Sequence, residues 1–440
     1  QSLGKRRLED GMHDSVFEEI EKEEARRHSS AGGASNTVSV TIDAMDCRRI
    51  NQDISFAATH LLHIRKATCL WRQREEIEHF LLRSTLDFIA PPSGAPGAAD
   101  AKNIVLLPFD TLLLPLASMQ DRLDIATAYS SGPNSPVGPY AVQSPQDSVA
   151  SAVRVGLPGR PLRLGLISYD FNDHPTTHLV EALFDTVHAS HDHQRRVELY
   201  VYSYGKDDNS SYRRRVQELA ARFEDVALLA YEETAALIRR QGVDVLYDMQ
   251  VHTLGNRLKA LSFRPAPVQV NYLVYPGTSG TLFLDYLVAD RVVVPAEHAG
   301  WYSEALMLLP PSYQMSYYTR HASSALTQQF DQLGARISGS RFDPAVMAHV
   351  KERLRAKYGL PSLPSAPHSP PVVFCNFNKI DKFDRLTFDV WLAVLRRVPN
   401  SVLWLLQPSG LRNNGSDEET ESQQTALTVK NIRAAVAGAG

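Results

Sequence analysis

Residues 164–178 read Leu164-Gly165-Leu166-Ile167-Ser168-Tyr169-Asp170-Phe171-Asn172-Asp173-His174-Pro175-Thr176-Thr177-His178. The run 163–168 predicts a β-strand, because it is short, largely apolar and closed by polar turn residues. Asp170, Asn172 and Asp173 supply the turn chemistry. Pro175 then fits the first position of a helix, where its missing N–H removes no hydrogen bond. A strand that passes through a polar turn into a helix is half of a βαβ unit, and the same texture repeats downstream. Strands are expected at 197–202, 226–229 and 243–247, with helices through 212–222 and 234–241 between them. Further strands are expected at 268–273, 286–289 and 305–309. Such alternation argues for an α/β fold, a parallel sheet wrapped by helices.

Beyond a Pro-rich stretch, 360–371, the pattern restarts with a strand at 372–375, a helix over 385–397 and a strand at 401–406. On that helix Leu386, Val390, Trp391, Val394 and Leu395 are expected to share one face. A polar stretch, 407–424, leads to a last helical segment near 426–436. Upstream, apolar residues recur near helical spacing from 55 to 89 (Leu61, Ile64, Leu70, Ile77, Phe80, Leu81), which predicts one or two amphipathic helices. Residues 90–102 and 130–161 read as loops from their Pro, Gly, Ser and Ala content. Residues 5–28 carry eight acidic and six basic side chains with few apolar ones, the composition of a solvated, disordered leader. The expected organisation is a leader (1–50), a helical lead-in (51–129), a linker or insertion (130–160), a first α/β lobe (161–320), an intervening linker (321–371) and the opening of a second lobe (372–440).

The 440 residues are 43% hydrophobic and 22% charged, which is enough apolar material to bury real cores. A net charge of −3 gives no global basic field of the kind that marks a nucleic-acid binder. No apolar stretch reaches the ~18 residues of a membrane span. The nearest, 104–116, is broken by Pro108, Asp110 and Pro115. No charged-then-apolar segment opens the sequence, so neither secretion nor membrane insertion is expected. Cys47, Cys69 and Cys375 are too few and too scattered for a disulfide framework or a zinc cluster.

In open α/β sheets, ligands bind beyond the carboxyl ends of the strands. Two strand-to-helix junctions carry unusual side chains there. In the first, Pro175 sets His174 at a helix N-terminus, beside unpaired N–H groups that keep an imidazole neutral, as a general base requires. The alternative is a capping histidine without chemistry. In the second, Asp384 is a plausible N-cap and Lys382 just precedes it, so an ammonium and the helix N–H groups could meet one anion, such as a diphosphate. The alternative is a solvated surface lysine. Gly-rich P-loop and dinucleotide motifs, the Gly-x-Ser-x-Gly elbow and any Asp-x-Asp pair are all missing from the sequence. His188, His191 and His193 resemble a metal tract but fall in a charged loop, where a surface role is expected.

Several runs occur in a recognisable order: 164–171 leading into 174–178; His252-Thr253 with Arg257; Arg264-Pro265-Ala266-Pro267-Val268-Gln269; Tyr275-Pro276-Gly277-Thr278-Ser279-Gly280 and Asp285-Tyr286; Tyr302-Ser303-Glu304; Asn376-Phe377-Asn378; and 398–406. Together they resemble the catalytic region of the nucleocytoplasmic O-linked N-acetylglucosaminyltransferases, which share glycosyltransferase family 41 with the SPINDLY-type protein O-fucosyltransferases. The resemblance implies a GT-B architecture, with a Rossmann-like N-terminal lobe and the first part of a second Rossmann-like lobe. It implies an inverting, metal-independent enzyme that uses no cofactor besides its UDP-GlcNAc donor. Its acceptors would be Ser and Thr hydroxyls of cytoplasmic and nuclear proteins, with no nucleic-acid or membrane partner. His174 matches the family's active-site histidine, and Lys382 its diphosphate-binding lysine. His178, His252, Leu273, Tyr275, Pro276, Gly277, Thr278, Asn378 and Lys379 fall at positions implied to bind donor or substrate.

The Tyr-Pro-Gly-Thr-Ser-Gly run at 275–280 resembles the N-acetylglucosamine branch. Val274, Tyr272 and His252 depart from that branch, and a branched side chain at 274 would be expected to crowd the sugar pocket. A GDP-fucose donor is therefore the alternative. On the resemblance, tetratricopeptide repeats would precede residue 1 and the second lobe would continue past residue 440. Gln1 and Gly440 are thus expected to be edges of a fragment, and a silent interaction module is the second alternative.

Overall fold

A computed structural model of the chain describes residues 74–89, 106–131, 160–189, 196–253, 255–316, 344–362, 371–406 and 418–437, with isolated positions between 58 and 71 and at 135 and 137. All belong to the unit Gln52–Gly440. The leader 1–50, the loop 90–102, His191, His193 and most of 130–160 lie outside the described residues.

Strands β1 (Leu162–Ser168), β2 (Val197–Ser203), β3 (Arg222–Asp225), β4 (Val245–Asp248), β5 (Val268–Asn271), β6 (Tyr286–Ala289) and β7 (Ala305–Leu308) form one sheet. Its order is β3-β2-β1-β4-β5-β6-β7, and every pairing is parallel. Helices α1 (Arg74–Ile89), α2 (Pro108–Thr111) and α3 (Met119–Ser131) precede it. Within the sheet region α4 (Pro175–His188) follows β1, α5 (Ser211–Leu219) follows β2, α6 (Tyr231–Arg240) follows β3 and α7 (Leu258–Ser262) follows β4. A second, two-stranded parallel sheet pairs β8 (Val372–Asn376) with β9 (Ser401–Leu405). Helix α8 (Pro344–Lys357) precedes that sheet, within the segment expected to be a linker; α9 (Arg385–Arg397) spans it and α10 (Glu418–Ala437) follows.

The side-chain period of two sorts the first sheet into two cores. Leu166 of β1 with Leu199 and Val201 of β2 faces a core shared with Phe171, Val180, Phe184 and Met249. Ile167, Tyr200 and Tyr202 face the opposite core, with Ile238, Leu246, Val251 and Leu261. Both faces are covered, as a parallel sheet requires. Each large side chain withdrawn from water in this way contributes about 1.5–3 kcal/mol. A third core, with Leu62, Leu81, Leu106, Leu114 and Ile125, organises the helical lead-in.

Three sequence expectations are corrected. The helix expected over 212–222 ends at Leu219, and the strand expected at 226–229 lies at Arg222–Asp225. As the sheet's edge strand β3 tolerates polar residues, whereas the apolar 226–229 run forms a turn on which Leu228 is 99% exposed. On α9 the packed stripe is Phe388, Trp391, Leu392 and Leu395, at i, i+3, i+4 and i+7. Of the five residues expected to share one face, Leu386, Val390 and Val394 are exposed; only Trp391 and Leu395 reach the core. Finally, α10 starts at Glu418, within the expected polar stretch, because its Glu and Gln residues are good helix formers.

Gly280 lies where the lead-in meets the sheet. Its φ is +65°, and a Cβ there would fall 2.3 Å from backbone atoms of Ala126 and Thr127 in α3. Gly280→Ala is expected to destabilise the protein by about 2 kcal/mol or more, from the left-handed backbone and the overlap with α3. Urea unfolding measures this as a lowered midpoint at unchanged m-value.

Candidate active site

The sheet order fixes where a ligand crevice opens. From β1 the chain moves outward to β2 and β3, then crosses back to β4 and continues through β5 to β7 on the other side. The loops leaving β1 and β4 therefore diverge, and the cleft between them lies at the carboxyl ends of the two strands.

Polar side chains span that divergence. Gln250, after β4, donates to Asp170 Oδ2 in the loop after β1 at 2.6 Å and to Ser168 Oγ at the end of β1 at 3.1 Å. Thr253 Oγ1 donates to the Gln250 carbonyl oxygen, which orients the amide so that its NH2 faces Asp170. Asp170 Oδ2 also accepts from Thr176 Oγ1 at 2.9 Å.

His174 caps α4 as expected, and its side chain is nearly half exposed. Its Nδ1 lies 3.3 Å from the Thr176 N, 3.1 Å from Thr176 Oγ1 and 3.3 Å from Asp170 Oδ2. These contacts demand different protonation patterns. If Nδ1 accepts from the Thr176 N–H, the neutral ring carries its proton on Nε2 and offers a donor outward. If Nδ1–H donates to Thr176 Oγ1 or Asp170, then Nε2 keeps a lone pair and can take a proton. His178 is oriented by Asp173 Oδ1, 2.8 Å from its Nε2, and by the ring of Tyr212 at 4.1 Å.

His252 is only 5% exposed, packed edge-on against Tyr129 of α3 and against Tyr275. Its Nε2–H donates to the Ser279 carbonyl at 2.7 Å, an oxygen that also accepts from Ser130 Oγ at 2.7 Å. Its Nδ1 is buried and unpartnered. Burial pushes the His252 pKa down to about 4, against the opposing pull of the Ser279 carbonyl. Asp248, at the end of β4, is fully buried, which pushes its carboxyl up to about 6 despite the N–H groups of Gln250 and Val251 on Oδ1.

The loop 275–280 is held from behind by Glu304. That buried carboxylate accepts from the Ser279 N–H at 2.8 Å, Thr278 Oγ1 at 2.9 Å and Asn271 Nδ2 at 3.3 Å. Tyr275, Gly277 and Thr278 are therefore buried, while Pro276 is exposed. Leu273 leaves β5 at φ +85°. The Val274 side chain packs against the Phe171–Phe184 core, so its branching is accommodated there.

The second expected group sits on the other sheet. Asn378, Lys379 and Lys382 are exposed on the loop after β8, above the buried Ile380 and Phe383. Asp384 caps α9, accepting from the Thr387 N–H at 2.7 Å. Trp71 of the lead-in packs on Phe383 and Phe388 and so anchors this loop. Among the described residues no hydrogen bond or ion pair joins the Lys382 loop to His174, His252 or Tyr275. Sequence reasoning missed Gln250, Asp248, Ser130 and Trp71 as site neighbours, since each is placed by a tertiary contact. Glu304 was visible only as part of a matched run.

Residues 108–329 and 345–433 match the family model described as Glycosyl transferase family 41. The chain is 29% identical over 351 residues to the probable UDP-N-acetylglucosamine--peptide N-acetylglucosaminyltransferase SEC of Arabidopsis thaliana, covering 79% of this chain and 31% of that protein. It is 26% identical over 329 residues to the UDP-N-acetylglucosamine--peptide N-acetylglucosaminyltransferase of Caenorhabditis elegans, covering 57% of this chain and 28% of that one. The chain thus spans about a third of the length of these curated relatives. A solved mutant of the Thermobaculum terrenum O-GlcNAc transferase superposes with a TM-score of 0.54 at 21% identity, over 88% of this chain and 59% of that one. The likeness bears out the expected α/β fold of GT-B type.

Asp248 and His252 give opposed pH dependences. Folded Asp248 keeps its proton to about pH 6 and the unfolded residue releases it near 3.8, so its term lowers stability as pH rises between those values. Unfolded His252 binds a proton near 6.5 and the folded residue resists until about 4, so its term raises stability over nearly the same window. Relative to wild type, Asp248→Asn should gain stability as pH rises through this window, and His252→Asn should lose it. Each slope is expected to approach about 1.4 kcal/mol per pH unit, measured by urea unfolding across a pH series.

Proposed function

The chain belongs to glycosyl transferase family 41, and on that footing we propose that its crevice at the β1/β4 strand switch binds UDP-N-acetylglucosamine for transfer of the sugar to Ser and Thr hydroxyls of proteins. The observation that carries the reading is the position of His174. It stands beyond the carboxyl end of β1, half exposed, with Nδ1 in reach of a buried carboxylate.

Glycosyl transfer asks for three things: a proton taken from the acceptor hydroxyl, a stabilised oxocarbenium-like centre, and neutralised charge on the departing diphosphate. His174 serves the first when Nδ1–H faces Asp170, because Nε2 is then a free lone pair. In the other tautomer the same ring donates from Nε2 to the sugar. The reading gives the third task to Lys382 with the N–H groups opening α9, a helix long enough to present a partial positive end. Asn378 and Lys379 flank that anion position on the same loop. The packing of the partly buried Val274 against the Phe171–Phe184 core supports the N-acetylglucosamine donor.

Calorimetric titration with UDP and GDP, together with transfer from UDP-GlcNAc to a Ser/Thr peptide, tests the reading. UDP is expected to bind in preference to GDP. His174→Ala should lower transfer by about 10²–10⁴-fold while UDP still binds. Lys382→Ala should weaken UDP binding about tenfold or more, through loss of a charge-assisted contact. Preference for GDP would overturn the donor assignment, and binding of neither nucleotide would favour an interaction module.

A further inference from the structure

Val251 is a β-branched residue in the left-handed region, at φ +47°, and it is fully buried. Such a conformation costs of order 1–3 kcal/mol and persists only where neighbouring groups hold it. The neighbour that holds it is Asp248. Its Oδ1 accepts from the Gln250 N–H at 2.9 Å and from the Val251 N–H at 3.2 Å, closing the turn that leaves β4.

That turn decides where two side chains go. One residue before Val251, Gln250 reaches across the strand switch to Asp170. One residue after it, His252 turns under Ser279 and Tyr275. Asp170 is in turn one of the groups that compete for Nδ1 of His174. A contiguous path therefore runs from a buried carboxylate to the half-exposed ring, through hydrogen bonds from Asp248 to Gln250 and from Gln250 to Asp170 and then the 3.3 Å contact of Asp170 with His174 Nδ1. Among the groups facing this path, Arg257 is a cation that acts on Tyr204. Tyr204, just after β2, feels Asp248 and Asp170, and Arg257 lies over its ring at 5.8 Å. The second Asp248 oxygen is buried and unpartnered, so its role is spent on the backbone through Oδ1.

We propose that Asp248 is a positioning residue for the switch-point site: by clamping the left-handed turn at Val251 it holds Gln250 against Asp170 and thereby sets which nitrogen of His174 carries the proton. The inference deepens the transferase reading, but its test reads His174 directly and does not depend on sugar transfer.

The experiment is nitrogen-15 NMR of the imidazole nitrogens in the 440-residue chain, with the His174 signals assigned by their loss in His174→Gln. Asp248→Asn keeps an acceptor oxygen and should leave the Nδ1–H to Nε2–H tautomer ratio of His174 within about twofold of wild type. Asp248→Ala frees the turn and should shift that ratio by about fivefold or more, as should Gln250→Leu. Val251→Gly restores the turn without a clamp, because glycine adopts positive φ unaided. The double variant Asp248→Ala with Val251→Gly should therefore return the ratio toward wild type. If Asp248→Ala does not fold, the His174 ratio is read in Gln250→Leu, where the shift is expected, and in the double variant, where a ratio near wild type is expected. An unchanged His174 ratio in folded Asp248→Ala or in Gln250→Leu would overturn the proposal, and so would a failure of Val251→Gly to restore the ratio.

Discussion

A hydrogen bond, 2.6 Å from the Gln250 amide to the Asp170 carboxylate, bridges the two strands between which the sheet changes direction. At that place the backbone ladder between β1 and β4 ends, and the two chains leave in opposite directions. Beyond it only side chains can hold one loop to the other. A buried carboxylate without partners is costly, and Asp170 recovers that cost by accepting from Gln250 and Thr176. The crevice is thus open by topology and rigid by hydrogen bonding, a combination suited to a preorganised site.

Support for this arrangement comes from behind as well. Helix α3 of the lead-in brings Tyr129 and Ser130 against His252 and Ser279, and Gly280 lets it approach to backbone contact. Glu304, just before β7, accepts from Thr278 and Ser279 in the loop after β5 and from Asn271 at the end of β5. Trp71, from the same lead-in region, anchors the loop that carries Lys382 on the second sheet. The lead-in therefore touches both halves of the candidate site, which gives it a structural part in the site itself.

Much of this was legible in the sequence wherever local chemistry decides local structure. The apolar run before Asp170, the polar turn and Pro175 gave the β1–α4 junction to within a residue, and Asp384 marked the start of α9. Legibility failed where tertiary context outweighs local pattern. The polar segment Arg222–Asp225 became an edge strand because it pairs with β2, while the more apolar 226–229 run forms a turn that buries Val226 and exposes Leu228. On α9 two overlapping stripes were both apolar, and only packing against Trp71, Phe383 and Leu403 selected one. The Gln250–Asp170 bridge joins residues 80 positions apart and carries no local signature. The left-handed turn at Val251 was invisible because the residue that adopts it is among the least suited to it.

The proposed nucleotide-sugar crevice would open at the carboxyl ends of β1, β4 and β5 and be completed by the loop after β8. Hydrogen–deuterium exchange with and without UDP-GlcNAc tests this most directly. Slowed exchange is expected in 168–178, 248–257, 273–281 and 376–384, with the amino-terminal strand ends unchanged. Protection confined to those amino-terminal ends, or absent from all four segments at saturating donor, would contradict it.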